Sequence, residues 1–372
     1  MAFLDYRPPG AQPGDIDDLE IWWVERQEAL QKAGYMLRSR YRPGWKPSWA
    51  GTDKFYLDFE DGQTVGYRLG MDATRISDGK PVMLKRLLNE EGPYELEMNR
   101  LFSSEPLSSN PRNHCVQLLD IIELPNDPPI MVHPLLRRYY DPRFQTFGEF
   151  ISFFAQTCEG VHFMHENHVA HRDCTSENIM LDPSNMFPES FHPADIERSR
   201  DYRGKAKWYS RTRRPTRYIL IDFGLTRRYD PADGQPLDNP LRGGDKTAPE
   251  HQDGKTPCNP FPTDVYYLGN LIREDYIQVR ILYILSQRYH GFEFIEPLVA
   301  DMVQEDPTKR PTMKEVVTRF AEIRSKLSTW KLRSRMVRNN ELWPVAAWRA
   351  VSHWYRTIGY VLARKAAIPE PE

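Results

Sequence analysis

Two short motifs constrain this chain more than any other feature. Residues 171–178 read HRDCTSEN, so Asp173 and Asn178 stand five positions apart. Further along, an apolar run at residues 218–221 leads directly into the sequence DFG, which begins at Asp222. Either motif alone is short enough to arise by chance in a chain of 372 residues. Their interpretation therefore depends on which other motifs accompany them and in which order.

The composition is that of an ordinary globular chain. Hydrophobic residues make up 40% and charged residues 27%, and the formal net charge is −2, so no global field indicates a particular partner. The four cysteines are scattered without a C-x-x-C pair, which argues against a disulfide framework or a zinc site. This pattern predicts a reducing, intracellular location, cytoplasmic or nuclear. We expect neither a signal peptide nor a transmembrane segment, since the required apolar runs do not occur.

Local patterns predict a mixture of helices and strands. Residues 1–18, rich in Pro, Gly and Asp, predict a flexible arm. Residues 19–40 carry apolar side chains at helical spacing and predict one amphipathic helix. Beyond it, strands are predicted at residues 55–57, 65–69, 81–85, 114–120, 130–132, 179–181 and 218–221, and helices at 92–104 and 147–167.

Four more motifs accompany the first two, in this order along the chain: PVMLK at residues 81–85, APE at 248–250, DVYYLG at 264–269 and DPTKRPT at 306–312. With all six motifs in order, the chain resembles the eukaryotic protein-kinase superfamily over residues 55–325. In overall texture it is similar to the divergent kinase-domain proteins of mushroom-forming fungi.

The resemblance implies an α+β, bilobal fold, with a small β-rich lobe, a larger helical lobe and ATP in the cleft between them. We expect the small lobe at residues 54–134, after an N-terminal arm and helix at 1–53. The large lobe is expected at 135–325 and contains an insert at 182–217. A basic, tryptophan-rich tail would follow at 326–372.

The resemblance also assigns roles to individual residues. Lys85 would contact the α- and β-phosphates of ATP. Asp173 would orient and deprotonate the acceptor hydroxyl, and Asn178 and Asp222 would bind Mg²⁺. A hinge at residues 131–136 would hold adenine through backbone groups, Leu136 offering its N–H, and Met180 would form the floor of the pocket.

A glutamate of the helix at residues 92–104 would pair with Lys85, and two candidates exist, Glu95 and Glu97. Met98 and Phe102 lie three and seven residues after Glu95, on adjoining positions of one helical face. This spacing favours Glu95 as the residue that points inward. In the same way Asp264 would brace the catalytic loop, and Arg310 would pair with Glu250.

The implied function is a protein kinase that transfers the γ-phosphate of Mg-ATP to a protein hydroxyl, with Ser or Thr favoured over Tyr. One alternative is a pseudokinase, a scaffold that keeps the fold without phosphotransfer. Another is a kinase-like enzyme acting on a small molecule, against which the APE motif and Arg310 speak. The presence of Lys85, Asp173, Asn178 and Asp222 favours the active kinase.

The chain departs from the kinase pattern around the phosphates. The glycines before Lys85 are Gly62, Gly66 and Gly70, spaced G-x-x-x-G-x-x-x-G instead of G-x-G-x-x-G. Met83 stands where alanine usually caps adenine, which narrows the pocket. Thr175 replaces the lysine of serine/threonine kinases, and Gly243-Gly244 replaces the threonine expected before APE. We therefore expect ATP to bind weakly or in an altered pose. These departures also leave undetermined which type of residue accepts the phosphate.

Arg172 precedes the catalytic aspartate, where related kinases pair an arginine with a phosphorylated residue. Four acids of the following segment could replace such a phosphate: Asp230, Asp233, Asp238 and Asp245. The alternative role for Arg172 is that of a structural hydrogen-bond donor.

Two basic segments remain. Residues 198–217 contain nine Lys/Arg, one acid and three aromatic residues. They predict a solvated basic loop, a docking site for an acidic protein partner or, less well supported, an RNA contact. The tail carries Trp330, Trp343, Trp348 and Trp354 among arginines. It predicts a helix packed on the large lobe or, alternatively, one lying on an anionic membrane surface.

Overall fold

The computed structural model describes residues 12–88, 92–240, 244–281, 284–287 and 289–371. These residues form a mixture of helices and mainly antiparallel strands. The helices are α1 (Asp18–Glu25), α2 (Gln27–Lys32), α3 (Glu95–Ser103), α4 (Phe147–Glu166), α5 (Pro260–Ile272), α6 (Glu296–Met302), α7 (Met313–Lys326), α8 (Thr329–Arg333) and α9 (Trp343–Leu362). The strands are β1 (Tyr35–Met36), β2 (Gly70–Arg75), β3 (Pro81–Arg86), β4 (Asp120–Ile122), β5 (Ile130–Pro134), β6 (Arg137–Arg138), β7 (Val169–Ala170), β8 (Ile179–Leu181), β9 (Tyr218–Leu220), β10 (Arg227–Arg228), β11 (Gln278–Ile281) and β12 (Ile284–Gln287).

The chain divides into two compact units. The first comprises the described parts of Met1–Glu91 together with Gln117–Leu135 and Phe187–Trp208. The second comprises Gly92–Val116, Leu136–Met186 and the described parts of Tyr209–Glu372. The expected lobes meet between residues 134 and 135. The two observed units meet one residue later, between Leu135 and Leu136. The grouping differs from the expected lobes in two respects, since α3 belongs to the second unit and much of the insert to the first.

The first unit is built on a five-stranded antiparallel sheet in the order β1-β2-β3-β5-β4. Its core lies on one face, where Met71, Val82 and Leu84 pack with Trp23 of α1 and Leu30 of α2. Each of these side chains is almost completely buried, which contributes about 1.5–3 kcal/mol apiece. Because side chains alternate along a strand, Met83 and Lys85 project from the opposite face.

The N-terminal helix is two helices and not the single helix predicted over residues 19–40. Asp17 caps α1, accepting from the backbone N–H of Glu20 at 2.9 Å while the Glu20 carboxylate accepts from Asp17. The chain bends at Arg26, whose guanidinium donates to both carboxylate oxygens of Asp127. Gly34 then adopts a φ of 96°, which favours glycine, and α2 gives way to β1.

The strands predicted at residues 55–57 and 65–69 are also wrong. Short 3₁₀ turns occupy Tyr56–Asp58 and Glu60–Gly62, and residues 63–69 form neither helix nor strand. The Asp61 carboxylate, which is buried, accepts from Trp45 Nε1 and from the Ser48 backbone N–H, each at 2.9 Å. Such side-chain bonds hold an irregular segment that alternation of apolar residues cannot reveal.

Helix α4 organises the second unit. Thr146 caps its first turn by accepting from the Glu149 N–H, and the helix packs against α7 and β9. The rings of Phe154 on α4 and Phe320 on α7 meet edge to face with centroids 4.8 Å apart. The structure confirms the helix predicted at residues 147–167 and the strands predicted at 179–181 and 218–221, each within one residue. The strand predicted at 114–120 is reduced to an isolated bridge at Cys115 and the start of β4.

One histidine gives the first unit a pH-dependent stability. His133 on β5 is buried, with Nδ1 3.0 Å from the Gln117 carbonyl oxygen. Burial lowers the pKa of His133 from 6.5 to about 4, although the backbone hydrogen bond opposes the shift. Between about pH 6.5 and pH 4, His133 is therefore protonated in the unfolded chain but not in the folded protein. Stability should be complete above pH 6.5 and decline as the pH falls towards 4, by up to ~3 kcal/mol.

The measurement is the melting temperature between about pH 7 and pH 4. His133→Asn, which keeps a donor for the Gln117 carbonyl, should flatten the decline, whereas His290→Asn, at an exposed histidine, should not. Parallel curves for the wild type and His133→Asn would contradict the assignment.

Candidate active site

Residues 171–178 connect β7 to β8 in the second unit and end in a 3₁₀ turn at Ser176–Asn178. This turn brings Asn178 back to Asp173. The Asn178 Nδ2 donates to the Asp173 carbonyl oxygen at 2.9 Å and to its carboxylate Oδ2 at 2.8 Å. Since both donated bonds come from Nδ2, the amide oxygen of Asn178 is the atom that could bind a cation.

Asp264 braces this loop, as the resemblance implies. It lies on α5 and is completely buried, and it accepts from the backbone N–H groups of His171 at 2.8 Å and Arg172 at 2.6 Å. His165 of α4 completes the arrangement, its Nε2 lying 2.9 Å from the same carboxylate. No motif in the sequence indicated His165, because its partner is 99 residues away.

The loop is also tied to the DFG sequence. His171 Nε2 lies 3.1 Å from the Ile221 carbonyl oxygen, and the Ile221 N–H donates to the Asn178 carbonyl oxygen at 3.0 Å. Asp222 follows with a φ of 63° and an exposed side chain. Phe223, by contrast, is fully buried and packs against Phe102 of α3, with ring centroids 6.0 Å apart.

The electrostatics of Asp173 suit a proton acceptor. Burial raises the pKa of Asp173, and the negative charge of Asp222 acts in the same direction. The charge of His171 and the hydrogen bonds from Asp245 and Asn178 oppose these effects. A carboxylate with a raised pKa binds a proton more readily than a free one, as a general base in a phosphotransfer reaction must.

The residues present fit a magnesium ion shared with a nucleotide. Among the described residues, no group of three or more His, Cys, Asp or Glu could hold a metal by itself. Mg²⁺ commonly takes only one or two protein carboxylates and completes its shell with phosphate oxygens and water. The exposed carboxylate of Asp222 and the amide oxygen of Asn178 match that requirement.

Gly244 lies against the Asp173 carboxylate, where the resemblance implied a threonine. Its φ is 71°, and a Cβ added there would meet Asp173 Oδ1 at 3.2 Å and Leu225 Cδ1 at 3.0 Å. The next residue, Asp245, donates its backbone N–H to Asp173 Oδ1 at 3.3 Å. The expected threonine contact is thus replaced by a backbone contact that requires glycine. Gly243 lies outside the described residues.

Arg172 has an acidic partner. Its guanidinium lies 3.1 Å from Asp238 Oδ2 and also donates to the carbonyl oxygens of Leu225 and Asn239. Asp238 additionally accepts from the Tyr229 hydroxyl at 2.8 Å. Of the four acids considered from the sequence, Asp238 is the one that pairs with Arg172, and Arg172 is at the same time a structural hydrogen-bond donor.

Glu250 of the APE motif pairs with Arg310, as expected. Two parallel bonds of 2.7 Å join the guanidinium to both carboxylate oxygens, and Thr263 donates to Glu250 at 2.7 Å. Although burial opposes it, the bonds from Arg310 and Thr263 hold the pKa of Glu250 below its usual value. This pair fixes the end of the segment that begins at Asp222.

The remaining predicted residues are divided between the units. Lys85 lies on β3 of the first unit, opposite Gly70 and Met131 in the sheet register. In the second unit Glu95 is buried at the start of α3 while Glu97 is exposed, which confirms Glu95 as the inward residue. The pairing of Lys85 with Glu95 stays a prediction. Leu136 and Met180, both half-buried, lie in the second unit, and their roles towards adenine likewise stay predictions.

Many cations of the basic insert have partners within the protein. Arg200 donates to Thr74 Oγ1 and to the Gly79 carbonyl oxygen, each at 2.8 Å. Arg211 is buried, donates to the Tyr139 carbonyl oxygen at 2.7 Å and stacks on Phe144. Part of the positive charge of the insert therefore has a structural role. Arg203 and Lys207 are among the cations that remain exposed.

Among the described residues, no helix has the length and apolar character needed to cross a membrane. Neither protein-family models nor curated proteins match this chain.

Proposed function

We propose that this protein is a protein kinase that transfers the γ-phosphate of Mg-ATP to a hydroxyl of a protein substrate. The observation that carries the proposal is that Asn178 is hydrogen-bonded to Asp173 in a loop that is itself tied, through His171, to Ile221, the residue before Asp222. Asp264 holds the loop in place by accepting hydrogen bonds from two of its backbone N–H groups. A bilobal kinase-like fold that binds ATP belongs to the same proposal.

The roles follow from the chemistry of each group. Asp173 accepts the proton of the attacking hydroxyl, for which its raised pKa prepares it. Asn178 and Asp222 would hold a magnesium ion, which would supply positive charge beside the transferring phosphate. Lys85 positions the α- and β-phosphates. Positioning and charge neutralisation suffice, because a loose phosphoryl transition state needs little covalent help.

The ion pair of Arg172 with Asp238 bears on regulation. A permanent carboxylate already occupies the position that a phosphate would take. We therefore expect the proposed kinase to need no phosphorylation at this point of the segment.

A second candidate is a kinase-like scaffold without phosphotransfer, and one observation in the first unit favours it. Asp72 lies opposite Met83 in the sheet register, on the same face as Lys85, and forms an ion pair with Arg38 at 3.0 Å. A charged pair there offers a nucleotide base less apolar surface. The 3₁₀ turns between β1 and β2 likewise stand where a short glycine-rich loop would be needed.

The test is transfer of labelled γ-phosphate from Mg-ATP to the protein itself and to generic protein substrates. Asp222→Asn should raise the magnesium concentration needed and lower transfer at least about tenfold, since even second-shell changes at metal sites cost that much. Asp233→Asn, at an exposed acid of the same segment, is the matched control and should behave as the wild type.

Acid hydrolysis of the product would name the acceptor residue. Absence of transfer in folded protein that Mg-ATP stabilises thermally would favour a nucleotide-binding scaffold. Absence of both transfer and stabilisation would remove the nucleotide from the proposal.

A further inference from the structure

Helix α9 reverses the usual arrangement of a surface helix. Ordinarily the apolar stripe packs on the core and the polar face meets water. Here the residues turned towards the protein are small or polar, with His353 and Thr357 buried. The side chains turned to solvent include Trp343, 82% exposed, and Trp348, 72% exposed.

The exposed apolar side chains form one continuous face. At 100° per residue, a single arc of the helix collects Trp343, Trp348, Val351, Trp354, Tyr355, Ile358, Val361 and Leu362. All eight are exposed, and Trp330 of α8, also exposed, extends the patch with its ring 6.3 Å from that of Trp354. More than half of the exposed large hydrophobic side chains in the described part of the chain lie between residues 330 and 362. A patch this concentrated marks an interaction surface.

A few polar contacts attach the helix and the residues after it to the second unit. The Tyr360 hydroxyl lies 2.6 Å from Ser210 Oγ. Beyond the helix, Arg333 donates to the Lys365 carbonyl oxygen at 2.6 Å, and Arg324 pairs with Glu370 at 2.7 Å. These attachments leave the apolar face directed away from the unit that carries it.

The charged side chains on α9 and directly after it are all positive. Arg349 and Arg356 lie one above the other beyond the edge marked by Trp348 and Tyr355, and Arg364 and Lys365 follow the helix, all four exposed. Between residues 342 and 369 the sequence has no Asp or Glu. The nearest acid, Glu341, is already paired with Arg335 and Arg349.

We propose that α9 binds the surface of a membrane containing anionic lipids, lying in the plane of the interface with its apolar face in the acyl boundary. Tryptophan and tyrosine favour this boundary, because one part of each ring system is apolar and the other is polar. Arginines beside such a face contact lipid phosphates. A second copy of this chain is a poorer occupant, since it would bring the same positive charges together.

The experiment uses the full chain and sedimentation with vesicles of phosphatidylcholine alone or mixed with phosphatidylserine. We expect binding to the mixed vesicles that weakens as salt rises, with a blue shift of tryptophan fluorescence. Val351→Glu, in the middle of the apolar face, should weaken partitioning about tenfold or more. Leu237→Glu, at an equally exposed apolar residue elsewhere, is the matched control and should change nothing.

A second pair of variants tests the charge. Arg356→Gln should reduce the preference for phosphatidylserine, and Arg203→Gln, at an exposed arginine of the insert, should not. Equal binding by Val351→Glu and the wild type would overturn the proposal. Failure of the wild type to bind mixed vesicles would also overturn it. If the chain then formed a dimer that Val351→Glu dissociates, the face would be an interface between two copies of the chain. None of these readouts depends on phosphotransfer.

Discussion

Asp173→Asn is expected to lower the rate of phosphate transfer by about 10²–10⁴-fold while the protein stays folded. Asparagine has nearly the same shape as aspartate but cannot accept the proton of the attacking hydroxyl. It can still accept one hydrogen bond from either Asn178 or the Asp245 N–H, so the loss of stability should be about 1 kcal/mol. The effect is therefore on chemistry and not on folding.

The measurement is single-turnover transfer at saturating Mg-ATP as a function of pH. The wild-type rate should rise with pH through the raised pKa of Asp173, and the variant should lose this dependence. Asp233→Asn again serves as the control. A variant that keeps a tenth or more of the wild-type rate would assign the proton to another acceptor.

Arg310→Met is expected to destabilise the second unit by about 3–5 kcal/mol. The substitution removes a guanidinium that is completely buried at its side chain and leaves the Glu250 carboxylate uncompensated. The double variant Arg310→Met/Glu250→Gln should recover part of the loss, because the remaining buried group is neutral. The single variant Arg310→Lys should lose less stability than Arg310→Met but more than the double variant, since an ammonium group cannot reproduce the two parallel bonds.

Urea unfolding of the four proteins measures these differences. The exposed pair of Arg75 and Asp78, with a 2.6 Å contact, provides the control, and Arg75→Met should change stability little. If Arg310→Met were as mild as Arg75→Met, the buried pair would not hold the segment, and the double variant would show no recovery.

Local pattern predicted much of the second unit correctly. Helix α4 and strands β8 and β9 have strongly apolar sequences, and their bounds agree with the prediction within one residue. Asp264 and Glu250 make the contacts that their motifs imply. Motifs of this kind are informative because the same few residues must meet in space for the loop to hold its shape.

The failures have a common physical cause. Residues 55–69 look like strands by composition, but hydrogen bonds between distant side chains, such as Trp45 to Asp61, hold them in irregular form. At the break between α1 and α2, Arg26 bonds to Asp127, which is 101 residues away in the sequence. The tail belongs to the second unit, and the buried side chains of its helix α9 are His353 and Thr357, on its small and polar side. Helical periodicity finds an apolar face but cannot say whether that face meets protein or solvent.

The chain passes between its two units five times, because Gly92–Val116 and Phe187–Trp208 each sit with a unit different from that of their neighbours in sequence. No single cut of the gene can therefore separate one unit intact from the other. If the chain were cut near Leu135, the C-terminal fragment would lack α3. The N-terminal fragment would lack Phe187–Trp208, the segment whose His192 pairs with Glu60. Recombination at a single point in the gene could therefore not exchange the two units as independent modules.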